Sequence, residues 1–256
     1  MEIKIEESLD KLTKHFEGKS GFHIILSDNK SRIQSNFNNP IHFSSDCKHE
    51  IGLISLESYY SFPNVDEKNN LFKYRKDQKT DWKIIIIPVG CYELKNINEV
   101  IQREIKNNGG KKDDIIIQPN QNTFQCILTI KDPYEVDFTI DNSLRTILGF
   151  DKNIYKSGRH SSEHPVNILR VNSILVHCNL IGSSYLNGIE EPIIFSFFPD
   201  VSPGDKIVIR PNKVIYLPLI INVISQMTVW LTDQNNELLN LRGEELTIKF
   251  HIRSCP

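Results

Sequence analysis

From residue 222 to residue 253, apolar and polar side chains take turns. Val223, Met227, Val229 and Leu231 fall on one side of an extended chain, while Asn222, Gln226, Thr228 and Thr232 fall on the other. That is the pattern of a strand with one buried face. After the polar stretch Asp233-Gln234-Asn235-Asn236 and the pair Arg242-Gly243, Leu246, Ile248, Phe250 and Ile252 alternate with Thr247, Lys249, His251 and Arg253. Two such runs joined by turn residues predict a β-hairpin. Further strands are predicted over 22–27, 51–60, 115–118, 124–130, 136–140, 169–181, 193–198, 206–210 and 214–217. Phe124, Cys126, Leu128 and Ile130 share the inward face of one, Val136, Phe138 and Ile140 that of the next. Pro119-Asn120-Gln121-Asn122 marks a hairpin between 115–118 and 124–130. The run Ile84-Ile85-Ile86-Ile87 is apolar on both faces and predicts a central strand.

Helical spacing is rarer. Ile5, Leu9, Leu12 and Phe16 predict a short amphipathic helix over 5–16 before Gly18. Near 95–108, Asn96 and Glu99 are spaced for a reciprocal capping box, Ile97, Ile101 and Ile105 form an apolar stripe, and Asn108-Gly109-Gly110 is a stop. A third, shorter helix follows Asp141 or Ser143 and stops at Gly149, with Phe150 folding back on Leu144 or Ile147. Residues 64–81 and 151–167 read as loops. Ten or eleven strands, two or three short helices and no βαβ rhythm predict a mainly β chain: an antiparallel two-sheet jelly-roll sandwich, with an immunoglobulin-like sandwich as the second choice. Residues 1–20 are expected to form an N-terminal amphipathic helix or arm. Residues 21–256 are expected to form a single β domain with a helical insertion near 95–108.

Lysine and arginine number 30 against 32 aspartates and glutamates, a net charge of −2. No global field holds a polyanion, so strong nucleic-acid binding is not expected. No apolar run reaches membrane-spanning length, and Glu2, Glu6 and Glu7 stand where a secretory leader needs cations, so a soluble, non-secreted chain is expected. Five scattered cysteines without a Cys-x-x-Cys pair suggest neither a disulfide framework nor a zinc knuckle, and Cys126 and Cys178 read as small core residues in a reducing compartment. His160 and His164 are the one closely spaced histidine pair, but a loop before Pro165 lacks the helix that puts both rings on one face. His23, His42, His49, His177 and His251 are single in their strands, against a metal-binding jelly-roll enzyme. Asp113, Asp114 and Asp132 read as solvated turn formers before they read as cation ligands. Lys73, Tyr74, Arg75, Lys76 and Lys79 have a composition that touches nucleic acid, but Asp77 and Asp81 dilute it into a charged surface loop. No catalytic, cofactor-binding or metal-ligating residue is singled out, and neither enzyme chemistry nor a cofactor is expected.

The run Ile174-Leu175-Val176-His177-Cys178-Asn179-Leu180-Ile181, then Tyr216-Leu217-Pro218-Leu219, then 224–231 with Thr232-Asp233, and the close on His251-Ile252-Arg253 resemble the C-terminal half of capsid proteins of Polinton/Maverick elements and adintoviruses. Residues 91–99, from Cys91-Tyr92-Glu93 to Glu99, resemble that family's lead into a helix. Asn142-Ser143-Leu144 and Leu148-Gly149-Phe150 resemble its Leu-Gly-Phe element. The chain departs from the family at 182–194, where a Gly-Asp and a Leu-Leu-Arg pattern are usual, and at Asn235-Asn236, where the family carries a glycine.

The resemblance implies a structural capsid protein rather than an enzyme. The length favours the penton, or vertex, subunit: a homopentamer beside a double-jelly-roll major capsid protein, in the virion, after an intracellular stage before assembly. The alternatives are the major capsid protein of the same kind of element and a ligand- or glycan-binding β-sandwich. Ile193, Ile194, Phe195, Phe197 and Phe198 are either contacts of such an assembly or an interior strand. The amphipathic helix at 5–16 is expected to dock on a partner or to line the shell.

Overall fold

The computed structural model describes residues 21–44, 46–168, 170–182 and 184–255. The helix expected over 5–16 lies outside the described residues. Up to Tyr60 the chain forms β1 (Phe22–Asp28), β2 (Arg32–His42) and β3 (Lys48–Tyr59). Next come β4 (Leu71–Arg75), β5 (Lys83–Ile86), the helix Leu94–Asn107, β6 (Ile115–Pro119), β7 (Gln125–Ile130), β8 (Glu135–Asp137), the helical turn Arg145–Leu148, β9 (Ile154–Tyr155) and β10 (Gly158–Pro165). The remainder gives β11 (Ile174–Cys178), β12 (Tyr185–Leu186), β13 (Ile189–Glu190), β14 (Ile193–Phe197), β15 (Lys206–Ile209), β16 (Tyr216–Pro218), β17 (Val223–Thr232) and β18 (Leu246–Cys255).

Where one β domain is expected over 21–256, the chain forms two compact units: one from the chain up to Tyr60 and from Asn172 on, the other from Ser61 to Val171. The middle segment carries enough apolar side chains to close a core of its own, which periodicity along the chain does not reveal. In the first unit, one antiparallel sheet has the order β1-β18-β3-β15, with β16 also on β3, and the other has the order β14-β11-β17-β2. Lettering β1, β2, β3, β11, β14, β15, β17 and β18 from B to I, the sheets read B-I-D-G and C-H-E-F. This is the strand order of a jelly roll, and the second unit is inserted between D and E.

The predicted C-terminal hairpin is overturned. β17 pairs with β2 and β11, whereas β18 pairs with β1 and β3. Alternation says that each strand buries one face and is silent about its neighbours; in a jelly roll, H and I lie in opposite sheets. Ile248, Phe250 and Ile252 face inward with Ile24, Leu26, Ile51 and Leu53, and Val176, Met227, Val229 and Leu231 close the core from the other sheet. A bulge between Ile224 and Gln226 switches the parity of β17, so Val223 is exposed and Ile224 buried. β2 is missing from the sequence reading. Its Gln34, Ser35, Asn36, Asn38 and Asn39 suit a strand paired on one side only, where polar side chains discourage further pairing.

In the second unit, sheet β5-β4-β8-β9 and sheet β10-β7-β6 enclose Phe72, Ile115, Leu128, Val136, Phe138 and Phe150 together with Ile97, Ile101 and Ile105 of the long helix. The helix is capped at Glu93, three residues before its predicted cap: Asn96 occupies the third helical position, and its Oδ1 accepts the Glu93 N–H at 3.1 Å. Asn98 Oδ1 accepts the Ile117 N–H at 2.8 Å, which ties the helix to β6. The hairpin of β6 and β7 is present as predicted. Phe124, expected inward, is exposed at positive φ just before β7.

Three further expectations are corrected. Residues 64–81 contain β4, whose Phe72 and Tyr74 are buried while Lys73 and Arg75 face the other way. Residues 151–167 contain β9 and β10, the latter with a disrupted register that hides its period. β5 is not central: it pairs with β4 alone, Ile85 and Ile87 are buried, and Ile84 and Ile86 are exposed. An all-apolar run therefore does not distinguish a two-sided interior strand from one with a bare outer face. Ile85→Ala is expected to cost about 2–5 kcal/mol through cavity formation, and Ile84→Thr less than about 0.5 kcal/mol. Urea unfolding of the two variants measures the difference.

Candidate functional site

The polar groups weighed in the sequence are mostly consumed by the fold. His160 and His164 lie on β10, not in a loop; His160 Nε2 is 2.8 Å from the Lys156 carbonyl oxygen, and His164 Nε2 is 3.4 Å from the Asp151 carboxylate. Asp114 is buried and its carboxylate accepts the Lys111 N–H at 2.6 Å. Among the described residues, no group of three or more His, Cys, Asp and Glu side chains is placed to hold a metal ion, and no helix is long and apolar enough to cross a membrane. Two of the four cations in the stretch 73–79 are paired with carboxylates. Lys73 pairs with Asp137 at 2.7 Å and Arg75 with Glu135 at 2.6 Å, both carboxylates nearly buried. Trp82 lies against both cations, 4.9 Å from the Lys73 ammonium and 4.4 Å from the Arg75 guanidinium. The buried thiols of Cys126 and Cys178 are pushed up to about 12 by burial, which withholds the thiolate.

Several residues of the C-terminal half, Asn179, Tyr216, His251 and Arg253 among them, serve as fasteners in the first unit. On the outer face of the B-I-D-G sheet, the Tyr216 hydroxyl lies 2.9 Å from His251 Nδ1, and the Arg253 guanidinium stands over the Tyr216 ring at 3.6 Å while bonding the Glu50 carboxylate at 3.0 Å. The His23 and His251 rings lie 4.9 Å apart. Tyr216 lies opposite Gly52 in the ladder, and a Cβ at Gly52 would meet Val214 Cγ1 at 2.5 Å. In the other sheet, Asn179 Oδ1 accepts the Thr228 N–H at 2.7 Å.

His177 is fully buried on β11, cross-strand from Trp230. Its Nε2 lies 2.8 Å from Thr232 Oγ1 and its ring stacks on Trp230 at 4.9 Å, with the Arg32 guanidinium 5.1 Å from the Trp230 ring. Nδ1 has no hydrogen-bond partner, and the Glu191 carboxylate stands 3.9 Å away. Burial draws the imidazole below its ordinary range, with Glu191 opposing. The hydroxyl it meets, Thr232, is itself buried, and the pair fixes β11 to β17.

The stretch 193–198, expected as either an assembly contact or an interior strand, holds an edge strand with one residue buried. Among the described residues, β14 is an edge strand that pairs with β11 alone. Ile194 is buried, Phe195 and Phe197 are half-buried with rings 6.3 Å apart, and Phe198 is 70% exposed. After a loop the chain enters β15, the edge of the other sheet, where Val208 is exposed. The arrangement offers an apolar rim and a free strand edge, which suits contact with another polypeptide. The sequence signal was the density of phenylalanines; what it lacked was the position of the strand in the sheet.

No family model matches the chain, and no curated protein matches it. Among solved structures, the mavirus penton protein aligns at a TM-score of 0.49 with 10% identity, over 92% of this chain and 99% of that one. The D2–D3 domains of the flagellar cap protein FliD from Escherichia coli align at 0.23 with 12% identity, over 83% of this chain and 100% of that one.

Two imidazoles, His177 fully buried and His251 partly so, make a pH dependence. Burial lowers His177, and burial, His23 and Arg253 lower His251, so the unfolded chain takes up protons first as pH falls. The stability these groups contribute is present above the unfolded imidazole value of about 6.5 and is lost as pH falls through the lower folded values. Thermal unfolding between pH 8 and pH 5 is expected to show this loss, with a smaller slope in His177→Gln.

Proposed function

We propose that this chain is a structural capsid subunit: the vertex, or penton, protein of a Polinton/adintovirus-like icosahedral shell, assembled as a homopentamer beside a double-jelly-roll major capsid protein. The observation that carries the reading is a jelly roll whose edge strand β14 leads into an exposed Phe198. A vertex subunit works through its side walls, and an apolar, unpaired strand edge is a wall able to bury area against an identical neighbour. The sequence resemblance supports the same reading, because its C-terminal motif residues His177, Tyr216 and His251 sit in the ladders of the sandwich. The virion is then the place of action, with the thiols kept reduced before assembly.

Native mass spectrometry and sedimentation over a concentration series test this. The expected species is a pentamer, and Phe198→Asp is expected to give a monomer with an unchanged circular dichroism spectrum. A stable trimer would replace the vertex reading with that of a major capsid subunit. A chain monomeric at every concentration counts against the proposal, and a pentamer that survives Phe198→Asp removes this edge from the contact.

A further inference from the structure

Between the hairpin of β12 and β13 and the loop after β17 lies a cavity of about 320 Å³, walled by Leu186, Asn187, Ile189, Glu191, Asn235 and Asn236. The two segments that form it, 185–192 and 232–240, contain the carboxylates Glu190, Glu191, Asp233 and Glu237 and neither lysine nor arginine. Asp233 is committed to its own loop, accepting the N–H groups of Asn235 at 2.8 Å and Glu237 at 2.9 Å. Glu191 is differently placed. One oxygen accepts the Asn236 side-chain N–H at 2.9 Å, and the other stands 3.9 Å from His177 Nδ1, beyond hydrogen-bond reach. That Nδ1 is fully buried and without a hydrogen-bond partner, so no hydrogen bond from the imidazole occupies this carboxylate oxygen. Around the cavity Tyr185, Ile189 and Leu238 expose apolar surface.

We propose that this cavity receives a lysine side chain of a partner protein, its methylenes along Leu186 and Ile189 and its ammonium on the Glu191 carboxylate and the amide oxygens of Asn187 and Asn235. A lysine combines an apolar stem with a compact charge bearing three donors. The lining combines aliphatic, amide and carboxylate side chains, and the acidic surroundings draw a basic segment in. The exposed Tyr185 and Leu238 then contact apolar neighbours of that lysine. This site is independent of the β14 edge, and a chain that proves monomeric can still carry it.

The test is a titration of the isotope-labelled full chain with tetralysine amide, followed by amide resonances. Saturable shifts are expected at Asn187, Glu191, Asn235 and Asn236, weakening as salt rises from 50 to 300 mM. Glu191→Gln keeps the bond to Asn236 and is expected to weaken binding about tenfold, whereas Glu244→Gln, in a different exposed turn, leaves it unchanged. Leu186→Lys supplies a second variant, in which the chain's own lysine competes for the site and tetralysine no longer shifts these residues. Shifts absent or spread evenly over the acidic surface, equal binding by Glu191→Gln, or binding of tetraglutamate or methyl glucoside in its place would overturn the proposal.

Discussion

Two antiparallel sheets closing their apolar faces on one another hold the first unit, and its other features follow from that closure. Phe250, Ile252, Ile51 and Leu53 on one side and Val176, Met227, Val229 and Leu231 on the other are removed from water. Each large aliphatic or aromatic side chain so buried contributes about 1.5–3 kcal/mol. Burial on this scale fixes the register of every central strand, because a one-residue slip turns the whole apolar set outward. Once register is fixed, the outer faces are free to carry polar fasteners. The Tyr216, His251, Arg253 and Glu50 chain and the stack of His177 on Trp230 sit where they do because the inner faces have already chosen the ladder.

The second unit solves the same problem with different parts. Its core is filled by a helix stripe, Ile97, Ile101 and Ile105, against β6 and β7, and by a ring cluster in which Phe138 lies 5.9 Å from Phe72 and 5.4 Å from Phe150. The outer face of its first sheet carries Lys73 with Asp137 and Arg75 with Glu135 in paired rows under Trp82. Lys73 and Arg75, two of the cations that a sequence advertises as a basic patch, are here paired across neighbouring strands, which composition alone does not reveal.

The polar side chains with perturbed protonation are those whose burial or pairing serves a strand contact: His177 between β11 and β17, Asp137 under Lys73, and the phenol of Tyr155 on Glu163 at 2.9 Å. Surfaces able to meet another molecule lie elsewhere, on the aromatic edge at β14 and in the acidic, apolar loops that end the other side of that sheet.

Strict alternation in β18, the isoleucine stripe of the long helix and the glycine stop after it were legible from residues alone, because each depends on which neighbours within a few positions share a face. The jelly-roll class followed from strand density and turn chemistry. Pairing did not: β17 and β18 look like a hairpin until the core assigns them to opposite sheets. β5 looks central until its one-sided pairing leaves Ile84 and Ile86 bare. The division of 21–256 into two cores, the pairing of Lys73 and Arg75 with buried carboxylates, and the placing of Glu191 beside an orphaned imidazole join residues tens of positions apart. A sequence states which side chains avoid water; only the closed structure decides which of them meet.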